Sequence, residues 1–365
     1  MIAIDRDVLK DALGTVRPFI ANRGIMPVME CVRMTADAPV ADNGYITLQG
    51  TDLEHMIELR VPATVGKDFD ACIPMKLLSD FVASLPAETI HIAATDAFVS
   101  LECMGHKARI KHLDAAEFPQ IPPIEEDAVV VDGEALRAAI HLGAYAAAKD
   151  ASRPTLTAGA LFLDPLLVVS ADGFRLAVSS EGENPPPEDA ALVMAKTLQS
   201  VARVVGDTCS VRVNDRHISF ETATATITSL LIAGVFPDYR AIIPAEHNVT
   251  LEVNRADLLG AVNLAMLFAR ESANIVRFNL SEDDILTVSG AAVESGDGVS
   301  WLAVTASGEP REGWPFEWAL NGVYLRHTLE VFECENVTLE LASAARPVVV
   351  KGDALAVIMP MHINE

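Results

Sequence analysis

The sequence predicts an α+β fold built from three repeated domains. Segments with the same pattern begin near residues 5, 132 and 254, which gives a period of about 120 residues. A second helical pattern and a closing Phe-Pro or Met-Pro pair recur at the same period. A repeat of this length corresponds to a whole domain, because solenoid units span only about 20–50 residues.

Each repeat begins with an apolar strand end followed by an amphipathic helix. A short polar residue, Asp5, Asp132 or Asn254, precedes each helix and can accept hydrogen bonds from the free amides of its first turn. The apolar residues that follow at helical spacing are Leu9 and Leu13, Leu136 and Ile140, and Leu258 and Val262. The pattern therefore predicts one core-facing helix at the start of each domain.

A second helix is predicted in the middle of each repeat. The segments that begin at Lys76 and Lys196 match closely, and the segment that begins at Val323 matches less closely. The pairs that close the three repeats are Phe118-Pro119, Phe236-Pro237 and Met359-Pro360. Three marks with one period support a true triplication.

The segments between the helices are predicted to be strands. Apolar and polar residues alternate over residues 45–52, and residues 210–221 have the pattern of a hairpin with its turn at Asn214. Residues 337–341 and 348–351 bracket a further turn. Each repeat thus contains two helices and about eight strands in antiparallel meanders, which is typical of α+β folds rather than of parallel crossover units.

Two acidic, proline-containing segments separate the repeats. Residues 119–127 and 244–248 lie between the repeated patterns and have the composition of linkers. The predicted domains are therefore residues 1–124, 125–246 and 247–365.

The bulk properties limit the class of protein. The chain has 365 residues, of which 50% are hydrophobic, so each domain can bury its own core. No apolar run reaches the roughly 18 residues that cross a bilayer, and the N-terminus lacks a signal-peptide pattern. We therefore expect a soluble, cytoplasmic protein with no membrane partner. The five widely spaced cysteines indicate reduced, mostly buried thiols.

The sequence contains no recognisable catalytic or metal-binding motif. The nine histidines are scattered, and neither a phosphate-binding glycine loop nor a nucleophile elbow occurs. Acidic pairs, such as Asp68 with Asp70 and Asp283 with Asp284, are expected among 51 acidic side chains. The sequence favours a non-enzymatic binding or scaffolding protein without cofactor or metal, and a hydrolase that uses surface carboxylates is the alternative class.

The net charge of −24 argues against nucleic acid as a partner only if the charges are evenly distributed. Basic residues recur at equivalent positions of the repeats: Lys10 aligns with Arg137, Lys76 with Lys196, and Arg6 with Arg255. The candidates for a DNA-facing surface are Arg6, Lys10, Arg23, Lys76, Arg137, Lys149, Arg153 and Lys196. The alternative interpretation is the ordinary charged outer face of an amphipathic helix.

Three motifs follow one another in the second and third repeats. They are Ser-Ala-Asp-Gly-Phe-Arg-Leu-Ala at 170–177, Val-Phe-Pro-Asp-Tyr-Arg at 235–240 and Val-Ile-Met-Pro-Met at 357–361. Together with the triplication, they resemble the bacterial DNA polymerase III β subunit family, the sliding clamps. The resemblance covers the whole chain, and residues 50–54 and 115–119 support it in the first repeat.

The resemblance implies a non-catalytic processivity factor for DNA replication. It implies a head-to-tail homodimer whose six domains close a ring, with helices lining the hole and sheets outside. Basic helices in such a ring would contact phosphates without reading bases. The implied partners are double-stranded DNA of any sequence, the catalytic subunit of the DNA polymerase III holoenzyme, the clamp loader and other proteins with a clamp-binding motif.

The resemblance also implies a pocket between the second and third domains that binds a short hydrophobic peptide of these partners. One wall is implied to be Leu156, Ala171, Gly173, Phe174, Arg175, Leu176, Pro237 and Ile242. The other wall is implied to be Asn321, Tyr324, Ala344, Val357, Ile358, Met359, Pro360 and Met361. Methionine suits such a site because its flexible thioether adapts to different side chains.

The chain departs from the family pattern in this pocket. The family usually has threonine and histidine where this chain has Ala171 and Phe174, often has arginine at Ala241, and usually ends close to Met361. These departures make the pocket more apolar. They leave open the alternative that the chain is a clamp paralogue dedicated to a specialised or repair polymerase.

Overall fold

The computed structural model describes residues 1–21, 24–37, 44–150, 152–180, 187–310 and 313–362. By its internal contacts the chain divides into two units. Unit 1 consists of residues 1–137 and 199–231, and unit 2 consists of residues 138–198 and 232–365. Each unit therefore combines strands of the central repeat with one of the outer repeats.

Six α-helices occur within the described residues, two in each repeat as the sequence predicts. They are α1 (Arg6–Val16), α2 (Met75–Ser84), α3 (Gly133–Gly143), α4 (Ala195–Val204), α5 (Arg255–Ala269) and α6 (Gly322–Val331). Asp5 accepts from two amides of α1 at 2.8 and 3.2 Å, and Asn254 accepts from two amides of α5 at 3.0 and 3.1 Å. Asp132 accepts from the Ala135 amide of α3 at 2.8 Å. The three predicted N-caps are confirmed.

The predicted apolar faces of these helices are buried. In α1 the buried residues are Leu9, Ala12, Leu13 and Val16, and in α5 they include Leu258. Full burial of a leucine side chain contributes roughly 1.5–3 kcal/mol, so these stripes hold each helix on its sheet.

The remaining regular structure is β-strand. The strands are β1 (Ile2–Asp5), β2 (Cys31–Ala36), β3 (Gly44–Thr51), β4 (His55–Val65), β5 (Phe69–Pro74), β6 (Thr89–Ala94), β7 (Phe98–Cys103), β8 (His106–Lys111), β9 (Val129–Asp132), β10 (Ala158–Leu163), β11 (Leu166–Ala171), β12 (Arg175–Val178), β13 (Ala191–Met194), β14 (Thr208–Val213), β15 (His217–Glu221), β16 (Ala225–Leu230), β17 (Val249–Asn254), β18 (Ile275–Leu280), β19 (Ile285–Ala292), β20 (Gly296–Ala303), β21 (Thr305–Gly308), β22 (Phe316–Asn321), β23 (Asn336–Leu341), β24 (Val348–Lys351) and β25 (Leu355–Ile358).

Unit 1 is organised around one antiparallel sheet. Its main order is β8-β7-β6-β1-β4-β16-β15-β14-β9, and β2, β3 and β5 join at its side. Strand β16 pairs with β4 from Ala225 opposite Leu59 to Ser229 opposite His55, so the central repeat extends the sheet of the first. The predicted hairpin at Asn214 is confirmed, and the Asn214 side chain accepts from the amide of His217 at 2.8 Å.

Unit 2 contains two antiparallel sheets. One has the order β13-β10-β11-β12-β25-β24-β23-β17-β21, and the other has the order β20-β19-β18-β22. The pairing of β12 with β25 brings Arg175 opposite Ile358, although 183 positions separate them in the sequence. The core includes Trp318, whose ring stacks on that of Phe278 with centroids 5.4 Å apart.

The cysteines are free thiols, and Cys31, Cys72, Cys103 and Cys209 are buried, as predicted. Burial raises the pKa of Cys72 to about 12, so this thiol is unreactive near neutral pH. Among the described residues, no helix combines the length and apolar character that a membrane span requires. The same residues contain no cluster of three or more potential metal ligands.

Candidate functional site

Unit 2 carries a cleft of about 700 Å³ formed by residues of the second and third repeats. Five of the residues predicted for the partner pocket line it: Leu156, Gly173, Phe174, Arg175 and Tyr324. The structure therefore brings together residues that lie up to 168 positions apart in the sequence. Strand pairing and helix packing produce this convergence.

The turn between β11 and β12 presents Phe174 to the cleft. The Asp172 carboxylate accepts hydrogen bonds from the amides of Phe174 at 2.9 Å and Arg175 at 3.0 Å. Gly173 has a φ of +90°, a conformation that residues with a Cβ rarely adopt. The Asp-Gly-x-Arg motif is thus explained locally: aspartate ties the turn, and glycine permits its backbone geometry.

Arg175 is buried beneath this turn, with only 8% of its surface exposed. Its Nε donates to Asp172 Oδ2 at 3.0 Å, and its Nη1 donates to His327 Nδ1 at 3.1 Å. The guanidinium also lies over the Tyr324 ring, 4.8 Å from its centroid. Because its donors face protein groups, Arg175 positions Tyr324 and His327 rather than presenting its own charge to a partner.

An aromatic pair forms the apolar part of the cleft. The rings of Phe174 and Tyr324 stack with centroids 6.3 Å apart and an interplanar angle of 19°. Phe174 remains 59% exposed, so its ring is accessible to a bound molecule. The pair offers a rigid apolar surface to a partner side chain.

The C-terminal motif lies beside the same turn. The Met359 amide donates to the Phe174 carbonyl at 2.9 Å, and the Met361 amide donates to the Ala319 carbonyl at 2.8 Å. Pro360 forms an isolated bridge with Leu320. The backbone therefore fixes the Met-Pro-Met segment next to Phe174, and the Met359 side chain is exposed.

The other predicted pocket residues lie under or outside the cleft lining. Those buried in the core of unit 2 are Ala171, Leu176, Val357 and Ile358. Asn321 caps α6 by accepting from the Val323 amide at 3.0 Å, and Ala344 is half-buried. Pro237 and Ile242 are exposed but do not line the cleft. The buried members support the lining rather than form it.

Sequence reasoning missed two side chains of the site, Tyr145 and His327. The Tyr145 hydroxyl bonds to Thr328 Oγ1 at 2.9 Å, and burial raises the pKa of Tyr145 to about 12. The pKa of His327 is lowered, first by burial and then by the neighbouring cations Arg175, Arg326 and Lys149. His327 could have been found, because it follows Tyr324 by three positions and shares its helical face.

The basic residues predicted to face DNA differ in their surroundings. Lys10 on α1, Lys76 on α2 and Lys196 on α4 are exposed. Lys149 and Arg153 are also exposed, but they line the cleft beside the aromatic pair. Arg23 lies outside the described residues.

One arginine in the first helix of each repeat donates to backbone carbonyls near the second helix. The side chain of Arg6 donates to the Pro86 carbonyl just after α2, and that of Arg137 donates to the Ala202 and Val205 carbonyls at the end of α4. Arg255 donates to the carbonyls of Leu329 and Cys334 at the end of α6, both at 2.9 Å. In each repeat an arginine of the first helix therefore donates to carbonyls at or just beyond the end of the second helix.

Models of one protein family match nearly the whole chain in order. The N-terminal domain of the DNA polymerase III beta subunit matches residues 1–122, its central domain matches residues 130–238, and its C-terminal domain matches residues 240–362. The chain belongs to the DNA polymerase III beta subunit family. The predicted resemblance and the three-domain α+β fold are thereby confirmed, and the chain is a non-catalytic sliding clamp subunit.

Known sliding clamps resemble the chain along its full length. The beta sliding clamp of Streptomyces coelicolor is 25% identical and covers 100% of this chain and 99% of its own. That of Synechococcus elongatus is 26% identical, with coverages of 93% and 92%. The solved structure of the Thermotoga maritima beta subunit superposes with a TM-score of 0.85 at 23% identity, covering 100% of this chain and 99% of its own. At this identity, the superposition establishes the clamp fold alone.

Proposed function

We propose that two copies of the chain form a head-to-tail ring around duplex DNA and hold DNA polymerase III through the cleft of unit 2. The observation that carries this proposal is the exposed Phe174, stacked on Tyr324 beside the Met-Pro-Met segment, in a chain with all three clamp domains. A closed ring keeps the protein on DNA by enclosure, so each phosphate contact can stay weak.

The cleft suits an extended apolar peptide. Phe174 exposes its ring in the cleft, and Met359, which is bound to the Phe174 carbonyl outside the cleft lining, exposes a flexible side chain that adapts to partner side chains of different shape. Arg175 and the Asp172 turn hold the aromatic pair before binding, which reduces the entropy cost of association. The catalytic subunit of the polymerase, the clamp loader and other clamp-binding proteins would compete for this surface.

Exposed lysines on the helices support contact with DNA. Lys10 on α1, Lys76 on α2 and Lys196 on α4 carry positive charge in a protein with a net charge of −24. Lysine contacts with phosphates are independent of base sequence and weaken with salt, as a sliding protein requires. Arg6 and Arg137 contribute less, because Asp7 and the Pro86 carbonyl already engage Arg6, and two backbone carbonyls engage Arg137.

Two sheet edges support the head-to-tail dimer. Strand β8 forms one edge of the unit 1 sheet and exposes Lys107, Arg109 and Lys111. Strand β20 forms an edge of the four-stranded sheet of unit 2 and exposes Asp297 and Trp301, the latter by 69%. Open edges are templates for pairing with another chain, and these two have complementary charges. Pairing of β8 with β20 of a second copy would produce the ring.

The domain limits that fit this assembly are residues 1–124, 125–246 and 247–365. Segment 119–127 would connect the first two domains, and segment 244–248 the last two. A cytoplasmic location follows from the replicative role. The alternative is a paralogue dedicated to a specialised or repair polymerase, which the apolar Ala171 and Phe174 favour.

Retention on DNA tests the ring directly. The protein is loaded by the clamp loader onto nicked circular plasmid, and the bound fraction is measured by gel filtration before and after the plasmid is linearised. We expect linearisation to release the protein. Equal retention on circular and linear DNA would show binding without enclosure and would refute the proposal.

Peptide binding tests the tether separately. Phe174→Ala removes the exposed ring, whereas Val293→Ala shortens another exposed apolar side chain, which lies outside the cleft lining. We expect the first change to weaken binding of a short Leu/Phe peptide at least about fivefold and the second to have no effect. Unchanged binding after Phe174→Ala would exclude the cleft as the partner site.

A further inference from the structure

The turn between β3 and β4 in unit 1 is built like the turn at residues 172–175 in unit 2. The Asp52 carboxylate accepts hydrogen bonds from the amides of Glu54 and His55, both at 3.0 Å. His55 Nδ1 lies 2.8 Å from Asp52 Oδ1, and the buried imidazole packs on the Phe19 ring with centroids 4.9 Å apart. The turn at 172–175 likewise has an aspartate that binds two amides and pairs with its fourth residue. The two turns therefore share one hydrogen-bonded frame.

The strand segment beside each turn is also equivalent. The Leu230 amide donates to the Glu54 carbonyl at 2.7 Å, as the Met359 amide donates to the Phe174 carbonyl at 2.9 Å. Leu230 and Met359 are each 41% exposed. Glu54 therefore occupies the position of Phe174, and Leu230 occupies the position of Met359. The chain contains the frame of the proposed partner cleft twice, once in each unit.

Leu53 occupies the position that Gly173 has in the other turn. Its φ is +73°, in the left-handed region that glycine adopts freely and that leucine adopts only at a cost in free energy. The Leu53 side chain is nevertheless 43% exposed, so part of its apolar surface stays in contact with water. A leucine that is both strained and exposed is accounted for by a bound molecule that covers its side chain.

Glu54 places a negative charge beside these leucines. Its carboxylate is exposed, and no hydrogen bond or ion pair engages it within the described part of the chain. An exposed cation, Arg216, lies one residue further along, because its carbonyl accepts from the Leu231 amide at 2.7 Å. The Glu54 backbone binds Leu230 directly, so its charge is the one next to the leucines. We call Leu53, Glu54 and Leu230 the unit 1 patch.

We propose that the unit 1 patch is a second protein-binding site, which takes a short extended segment with an aliphatic side chain next to a lysine or arginine. The aliphatic side chain packs on Leu53 and Leu230, and the cation pairs with the Glu54 carboxylate. The turn is fixed before binding, since Thr51 Oγ1 also accepts from the Leu53 amide at 3.0 Å. The contact is small, so the site acts on a partner that is also held at another point.

A protein segment fits the unit 1 patch better than a nucleic acid does. Glu54 repels phosphates, and the rings of His55 and Phe19 beneath the turn are buried, so neither can stack on a base. A polypeptide supplies an aliphatic side chain and a cation at neighbouring positions. The chemistry of the patch therefore selects a protein partner.

The first test is binding of the peptide acetyl-Ser-Leu-Leu-Lys-Leu-Ser-amide to the full chain, followed by leucine methyl NMR. The protein carries Phe174→Ala throughout, so that the cleft of unit 2 is disabled. We expect the methyl signals of Leu53 and Leu230 to shift. Leu53→Gly should weaken binding at least about threefold without destabilising the turn, because glycine suits its backbone. Leu77→Ala, which shortens a leucine that is 54% exposed on α2, should leave binding unchanged.

The second test measures the charge preference. A matched peptide has glutamine in place of lysine, and we expect the lysine peptide to bind about two- to fivefold more tightly at low salt. Glu54→Gln should remove most of this preference. Glu117→Gln, which neutralises an exposed carboxylate elsewhere in unit 1, should preserve it.

Three results would overturn the inference. Unchanged binding in Leu53→Gly, or no shift of the Leu53 and Leu230 methyl signals, would show that the unit 1 patch is not a site. An equal effect of Glu54→Gln and Glu117→Gln would mean that the lysine peptide responds only to the net charge of the protein. If Leu53→Gly weakened self-association in sedimentation velocity but not peptide binding, a second copy of the chain would cover the patch instead. None of these results bears on the cleft of unit 2, which the Phe174→Ala experiment tests separately.

Discussion

Replacing Arg175 with methionine tests how the cleft is held in shape. The substitution keeps much of the side-chain volume but removes the hydrogen bonds to Asp172 and His327 and the contact with the Tyr324 ring. It leaves Asp172, whose side chain is only 15% exposed, without its cation. We expect the turn at Gly173 to loosen and the aromatic pair to lose its fixed orientation.

The magnitude follows from burial. Breaking a fully buried ion pair costs about 3–5 kcal/mol, and hydrogen bonds to charged groups contribute about 1.5–3 kcal/mol each. Asp172 keeps its hydrogen bonds from two amides and some contact with solvent. We therefore expect the free energy of unfolding of this region to fall by about 3 kcal/mol, near the lower limit of that range. Peptide affinity should also fall, since the partner must now order Phe174 and Tyr324 itself.

Native-state hydrogen exchange of β11 and β12 is the suitable assay, because a chain with two units need not unfold in a two-state manner. Arg240 provides the matched control: its Nε bonds to Asp238 at 2.9 Å, but the two side chains are 42% and 56% exposed. Arg240→Gln should leave exchange in its own segment unchanged. If Arg175→Met changed exchange as little as Arg240→Gln does, burial would not govern this pair and the reasoning would be wrong.

Four further predictions concern the other parts of the molecule. Lys10→Glu combined with Lys76→Glu should shorten retention on circular DNA and reduce the salt dependence of DNA binding by the equivalent of about two phosphate contacts. Peptide affinity should not change. An equal loss of DNA retention and of peptide affinity would contradict separate surfaces for the two partners. Arg255→Met should destabilise the end of α6 by about 1–2 kcal/mol, as measured by hydrogen exchange, because the carbonyls of Leu329 and Cys334 lose the hydrogen bonds of 2.9 Å that Arg255 donates. Unchanged exchange in α6 together with impaired retention on DNA would mean that the arginine contacts DNA instead. Because the pKa of His327 is lowered in the folded protein, the unfolded chain protonates this imidazole at a higher pH than the folded chain does. The contribution of neutral His327 to the free energy of unfolding is therefore fully present above about pH 6.5 and decreases as the pH falls below that value. Thermal unfolding between pH 7.5 and 5 should depend less on pH in His327→Asn than in the wild type. Trp301→Lys should weaken dimerisation in sedimentation velocity, because it removes an exposed aromatic side chain and places a positive charge opposite the basic strand β8. An unchanged dimer would exclude β20 from the interface.

Local patterns in the sequence were sufficient for the repeated helices. Each repeat has a short polar residue before its apolar stripe, and these residues, Asp5, Asp132 and Asn254, cap the helices that follow. This could be predicted because an N-cap bonds only to amides two or three positions later in the chain. The hairpin at Asn214 was equally predictable, since its turn is closed by one side chain over three positions. The Asp-Gly-x-Arg turn belongs to the same class of local structure.

The roles of charged side chains were less predictable. Recurrence of basic residues at equivalent positions indicated a common surface, yet Arg6, Arg137 and Arg255 also donate to carbonyls at or just beyond the ends of neighbouring helices. The partners of these arginines lie 65 to 80 positions away in the sequence. A pattern of charge does not distinguish a cation that meets DNA from one that satisfies a helix end.

The triplication, the helix caps, the tight turns and membership of the clamp family can be inferred without a structure, because each depends on neighbouring residues or on motifs in a fixed order. Which side chains share the cleft depends on the three-dimensional packing of the chain. The pairing of β12 with β25 sets Arg175 beside the Met-Pro-Met segment, and α6 then brings His327 to its guanidinium. These contacts join distant segments through packing, which no local spacing encodes, and they turn Arg175 from an apparent ligand contact into the group that orients the site.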